Sequence, residues 1–97
     1  MALTKKYLKT KPVCKVTFEI DSSSANQIFV AGDFNNWKET DLSLKKQKNG
    51  SFKLSINLAT DNKYEFRYII DGNWANERDA DEYQQNEFGS ENSVLYT

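Results

Sequence analysis

Tyr64-Glu65-Phe66-Arg67-Tyr68-Ile69-Ile70-Asp71-Gly72-Asn73-Trp74 is the stretch that settles the fold class. Tyr64, Phe66, Tyr68 and Ile70 recur at every second position, the periodicity of a strand with one face against a core. Asp71-Gly72 is the signature of a two-residue hairpin turn, whose backbone has to enter the left-handed region. Such a turn fixes the register. Ile70 falls opposite Asn73 and Ile69 opposite Trp74, and directly opposed residues share a face. Arg67 and Ile69 lie on the face away from the Tyr64-to-Ile70 row, so Trp74 is expected on the outer face, with Arg67 as its diagonal neighbour about 7–8 Å away. An indole standing outside the core beside a guanidinium forms a flat apolar plate with a hydrogen-bonding rim. The plate implies a ligand unless the hairpin folds over and buries the ring.

Outward from this hairpin the rest of the chain also reads as strands. Val16, Phe18 and Ile20 alternate with Lys15, Thr17 and Glu19, and Asp21 to Asn26 then form a turn. Ile28 to Ala31 is a short continuous apolar run ending at Gly32. Leu42 and Leu44 suggest a weak edge strand, closed by Asn49-Gly50, itself a hairpin signal. Phe52, Leu54, Ile56 and Leu58 give the cleanest alternation in the sequence. Residues 76–87 are polar and irregular, and Ser93 to Thr97 reads as a last strand. No helical periodicity of 10–15 residues intervenes, so an all-β antiparallel sandwich of about seven strands is expected. Pro12 precedes the first of these strands, where it costs no ladder bond.

Ninety-seven residues are enough for one domain, placed at residues 12–97, with residues 1–11 read as a basic amino-terminal tail. The charge is balanced at −1 overall but segregated. Lys5, Lys6, Lys9, Lys11 and Lys15 crowd the start, whereas Glu77, Asp79, Asp81, Glu82, Glu87 and Glu91 crowd the end against Arg78 alone. The basic strip is expected to be a solvated tail or to pair with the acidic end of its own fold. Near-zero net charge argues against nucleic acid or an anionic membrane as partner. No apolar run is long enough to span a bilayer, and Met1-Ala2-Leu3-Thr4 opens no apolar leader. With Cys14 as the lone cysteine, a cytoplasmic location is expected.

The absence of histidine removes His-based acid–base chemistry and the commonest zinc ligand sets. Carboxylates are plentiful, but a glycosidase needs a pair of them set across a cleft. Here Asp71 has a turn to make, and Asp79, Asp81 and Glu82 decorate a loop. Asp79-Ala80-Asp81-Glu82 lacks the spacing and the glycine of a calcium loop. Cys14 sits in a strand with no base to activate it. Neither an enzyme nor a metal or cofactor site is expected.

An exposed aromatic plate has two common ligand chemistries. A pyranose presents an apolar C–H face to the ring's negative quadrupole and a belt of hydroxyls to neighbouring polar groups. A nucleobase also stacks, but it brings a phosphate backbone that needs a basic groove. One adjacent arginine and an acidic following loop favour the sugar. For Trp37, in Ala31-Gly32-Asp33-Phe34-Asn35-Asn36-Trp37, the pattern alone reads as a plug at the open end of the sandwich.

Three ordered motifs then carry a resemblance: Gly32-Asp33-Phe34-Asn35-Asn36-Trp37, the Tyr64-to-Trp74 hairpin, and Asn86-Glu87-Phe88-Gly89-Ser90-Glu91-Asn92-Ser93-Val94. From about Val13 to Thr97 the chain resembles carbohydrate-binding module family 48, which includes glycogen-binding domains and the early-set domain of isoamylases and branching enzymes. The resemblance implies an immunoglobulin-like (early-set) sandwich that binds α-1,4-linked glucans such as glycogen or starch without catalysis. It implies stacking roles for Trp37 and Trp74 and hydroxyl-bonding roles for Arg67 and Asn92. It also implies contacts to the glucan helix from Phe88 and Ser90. Arg67, Phe88 and Ser90 replace the family's lysine, leucine and threonine. A glycogen-metabolism enzyme or a kinase is the protein partner it implies. The alternative is an early-set domain that makes regulatory or protein contacts and binds no glucan.

Overall fold

The computed structural model describes residues 2–21 and 24–97. Met1 of the expected tail, and Ser22 and Ser23 of the turn expected after Asp21, lie outside the described residues. Nine strands run in chain order: β1 (Ala2–Tyr7), β2 (Val13–Asp21), β3 (Ile28–Gly32), β4 (Leu42–Lys46), β5 (Ser51–Ala59), β6 (Lys63–Ile70), β7 (Asn73–Ala75), β8 (Glu82–Gln85) and β9 (Glu91–Tyr96). A 3-10 turn at Asp33–Asn35 is the one helical element among the described residues. Every pairing is antiparallel, in the order β1-β2-β5-β4-β3-β6-β9-β8, with β7 added beside β6. The fold is an all-β sandwich whose sheet curls on itself.

The expected strands are present, and two more join them. Residues 2–7, read from the sequence as part of a loose basic tail, form β1 and pair with Cys14–Glu19 of β2. Lysine-rich strands are common at sheet edges, where charge blocks pairing with other chains. Lys5 forms an ion pair with Asp81, and the Tyr7 hydroxyl donates to the Thr97 carbonyl at 2.7 Å, tying β1 to the acidic end of the chain. The second addition is β8, inside the segment read as irregular. Nor is β4 an edge. Leu42–Leu44 pair with β3 while Lys45 and Lys46 pair with β5, so this strand carries the sheet from one layer to the other.

Alternation decides what the layers bury. Val16, Phe18 and Ile20 meet Ile28, Val30, Leu44, Phe52, Phe66, Tyr68 and Leu95 in one core. Phe18 and Phe66 pack edge to face at 5.2 Å between centroids, and Phe66 and Tyr68 at 5.7 Å. One charged side chain enters this interior. Glu77 is fully buried, accepts from the Tyr68 hydroxyl at 2.7 Å and from the Asp79 backbone N–H at 3.0 Å. Its backbone N–H donates to Ser93 Oγ, and its carbonyl accepts from Tyr83. Burial first, then the Glu77 carboxylate, pushes the Tyr68 phenol far above its usual range.

Candidate functional site

The Asp71-Gly72 turn does what its sequence dictates. Both residues take positive φ, 48° and 86°, and the pairing is Ile70 with Asn73 and Ile69 with Trp74. The Asp71 carboxylate also accepts from the backbone N–H groups of Asn26 and Gln27, which clamps the turn to the preceding loop. Trp74 therefore emerges on the outer face, 42% exposed. Ile69 shares that face yet is buried, because Phe29 of β3 and Trp74 of β7 flank it in register on either side.

Arg67 occupies a break in the sheet. Along one edge of β6, Lys63–Phe66 pair with β9 and Tyr68–Ile70 pair with β7, so Arg67 is the residue between the two partners. Its guanidinium carbon lies 5.6 Å from the Trp74 ring centroid, within cation–π range. The Arg67 Nε–H is buried and has no protein acceptor among the described residues. A donor left unpaired in such a place carries a desolvation cost.

Trp37 is held from the other side. Asn36 and Trp37 both adopt left-handed backbone, φ 57° and 58°, which costs a bulky residue about 1–2 kcal/mol and needs outside support. The Trp37 backbone N–H donates to the Gly32 carbonyl at 2.9 Å, and its indole Nε1–H donates to Asp33 Oδ1 at 3.0 Å. The second Asp33 oxygen accepts from the Glu65 backbone N–H at 2.8 Å. One carboxylate thus ties the indole edge to β6. Trp37 is half-buried, so it does not act as the fully enclosed plug that its pattern suggests.

Between β8 and β9 a single side chain builds the third wall. Asn86 Oδ1 accepts from the backbone N–H groups of Phe88 and Ser90, and Gly89 supplies φ of +80°. This compact turn leaves Phe88 84% exposed. Asn86 Nδ2 donates to Asn92 Oδ1 at 3.1 Å, and Asn92 Nδ2 donates to Glu65 Oε1 at 3.2 Å. Asn92 is buried by these contacts and keeps one amide N–H free of protein partners among the described residues.

These elements enclose an open groove of about 640 Å³, lined by Asp33, Trp37, Glu65, Arg67, Trp74, Asn86, Glu87, Phe88 and Asn92. Five of the six residues singled out from the sequence therefore meet in one place: Trp37, Arg67, Trp74, Phe88 and Asn92. Ser90 sits in the adjoining turn and is not among the lining residues. The lining also contains Asp33, Glu65, Asn86 and Glu87, which sequence reasoning did not assign to the site. Glu65 had a signal, since it shares the strand parity of Arg67. Among the described residues no group of three or more His, Cys, Asp or Glu side chains is placed to hold a metal ion, and no helix is long and apolar enough to cross a membrane.

Residues 14–97 match the family model described as the glycogen recognition site of AMP-activated protein kinase. No curated protein matches the chain. The matched span starts within β2 and takes in every element that lines the groove.

Proposed function

Because the chain belongs to the family of the AMP-activated protein kinase glycogen recognition site, we propose that it is a non-catalytic module that captures α-1,4-linked glucans in the groove between β6, β7 and β9. Trp74 and Trp37 present ring surfaces to the apolar faces of glucose units, and Phe88 closes the third side. Arg67 and Asn92 offer N–H donors to sugar hydroxyls, and Ser90 extends the polar rim beyond the groove.

The observation that carries this reading is the Trp74–Arg67 plate: an exposed indole with a guanidinium over it at 5.6 Å and an unpaired buried Nε–H beside it. Stacking on such a ring contributes about 0.5–1.5 kcal/mol, up to about tenfold in affinity, so single-site binding is weak and polymers gain by offering many sites. The module works in the cytoplasm, where a glycogen-metabolism enzyme or a kinase is the kind of protein it would bring to the polymer.

Retention on glycogen or immobilised β-cyclodextrin tests the proposal. Wild type is retained, and Trp74→Ala abolishes retention while its circular dichroism spectrum remains that of the folded β-sandwich. Equal retention of both proteins, or of neither, would transfer the assignment to a protein-contact domain of the same fold.

A further inference from the structure

We propose that the groove selects uncharged glucans and excludes those bearing an anionic substituent, with Glu65 and Glu87 as the residues that set this preference. The inference rests on the glucan reading above and narrows the class of glucan that the site accepts. Three carboxylates line the groove, those of Asp33, Glu65 and Glu87, and Arg67 is the one cation among the lining residues.

The hydrogen bonds that hold these carboxylates come from neutral donors. Asp33 accepts from the Trp37 indole and the Glu65 backbone, and Glu65 accepts from Asn92. Such bonds fix the groups in place without cancelling their charge. Glu87 has neither a hydrogen bond nor an ion pair from its side chain among the described residues. Arg67 does not neutralise any of the three: the one ion pair among the described residues is Lys5 with Asp81, on another part of the molecule. The guanidinium is instead drawn over the Trp74 ring.

A guanidinium is also a good phosphate receptor, and it would favour an anionic glucan if it stood alone. The count of charges decides the balance. A unit charge pair 4 Å apart in water changes affinity by about fivefold. Three like charges therefore outweigh one opposite charge at comparable distances. Neutral hydroxyls meet no such penalty, and carboxylate oxygens accept from them.

Titration calorimetry with two probes separates the outcomes: maltoheptaose, and maltoheptaose carrying one phosphate monoester. At about 0.01 M salt, where the Debye length is about 30 Å, the phosphorylated probe should bind about tenfold more weakly. At about 1 M salt, where screening acts over about 3 Å, the two affinities should converge. Glu65→Gln and Glu87→Gln should each lower the ratio of the two affinities measured on the same variant at low salt, and the double variant should lower it further. Equal affinities at low salt, tighter binding of the phosphorylated probe, or a gap that salt does not change would overturn the proposal. The last of these results would assign the difference to shape. Binding of neither probe would overturn the glucan reading itself, and this inference with it.

Discussion

Asp33 shows how a single lining side chain can govern a site by fixing its neighbours. Its two oxygens join the Trp37 indole to the β6 backbone, and Trp37 sits in a conformation that a bulky residue does not hold unaided. Asp33→Ala is expected to free the indole: glucan affinity falls by about tenfold, and acrylamide quenches Trp37 fluorescence more strongly, because a charge-assisted bond of about 1.5–3 kcal/mol is gone. Asp33→Asn keeps one acceptor oxygen and should fall between. Tyr68 poses a different problem, since its phenol is buried against Glu77 and keeps its proton far beyond the usual range. An unfolded tyrosine releases its proton near pH 10.0. Above that pH the folded chain holds a proton that the unfolded chain has lost, so stability falls as pH rises, and below it the group contributes no slope. Urea midpoints measured from about pH 8 to about pH 11 should decline, and Tyr68→Phe should flatten part of that decline while lowering stability at neutral pH, because Glu77 loses a donor. Trp74 and Arg67 were legible from hairpin register alone. Glu77 was not, because a glutamate in a polar run gives no sign that a tyrosine on a neighbouring strand will enclose it.

Strands differ in how openly they declare themselves. β5 and β6 alternate strictly, so periodicity finds them, and Asp71-Gly72 even supplies the register. β8, Glu82–Gln85, is exposed at every position and carries no apolar alternation. Its existence follows from the open edge that β9 offers, a tertiary cause invisible to a local pattern. β1 hides in the same way behind its lysines, and its partner β2 is what makes it a strand. β4 was found but misplaced, since a short apolar pair says nothing of how many neighbours a strand will have. The junction of β3 and the 3-10 turn is the most constrained of these elements. A Cβ on Gly32 would lie 2.5 Å from the Glu65 carbonyl oxygen and 2.8 Å from Phe66 Cβ. Its φ of −172° is ordinary extended backbone, so the demand is for space and not for a left-handed turn. Gly32→Ala is expected to destabilise by about 1–3 kcal/mol, by forcing β3 from β6. Denaturant titration checks this, and the same substitution at Gly50, where no atom lies within 4 Å but φ is +90°, should cost about 1–2 kcal/mol through backbone strain alone.

The whole molecule brings three distant motifs to one groove by topology. Gly32 to Trp37 leaves β3, the hairpin leaves β6, and Asn86 to Asn92 enters β9, and β6 pairs with β3, β7 and β9 at once. β6 is thus the spine on which the site is assembled, and Arg67 stands where two of its partners meet. The groove's lining could not be enumerated from sequence because it depends on these non-local pairings, although its two indoles could be named. Those indoles also give the most direct test, since the chain contains two tryptophans and no more. In a ¹⁵N-labelled sample they yield two indole N–H resonances, to be followed while maltoheptaose is added at low and at high salt. If one glucan chain lies across both rings, the two resonances shift together with one midpoint, and that midpoint barely changes with ionic strength. Movement of only one resonance, of neither, or of the two with separate midpoints would contradict the account.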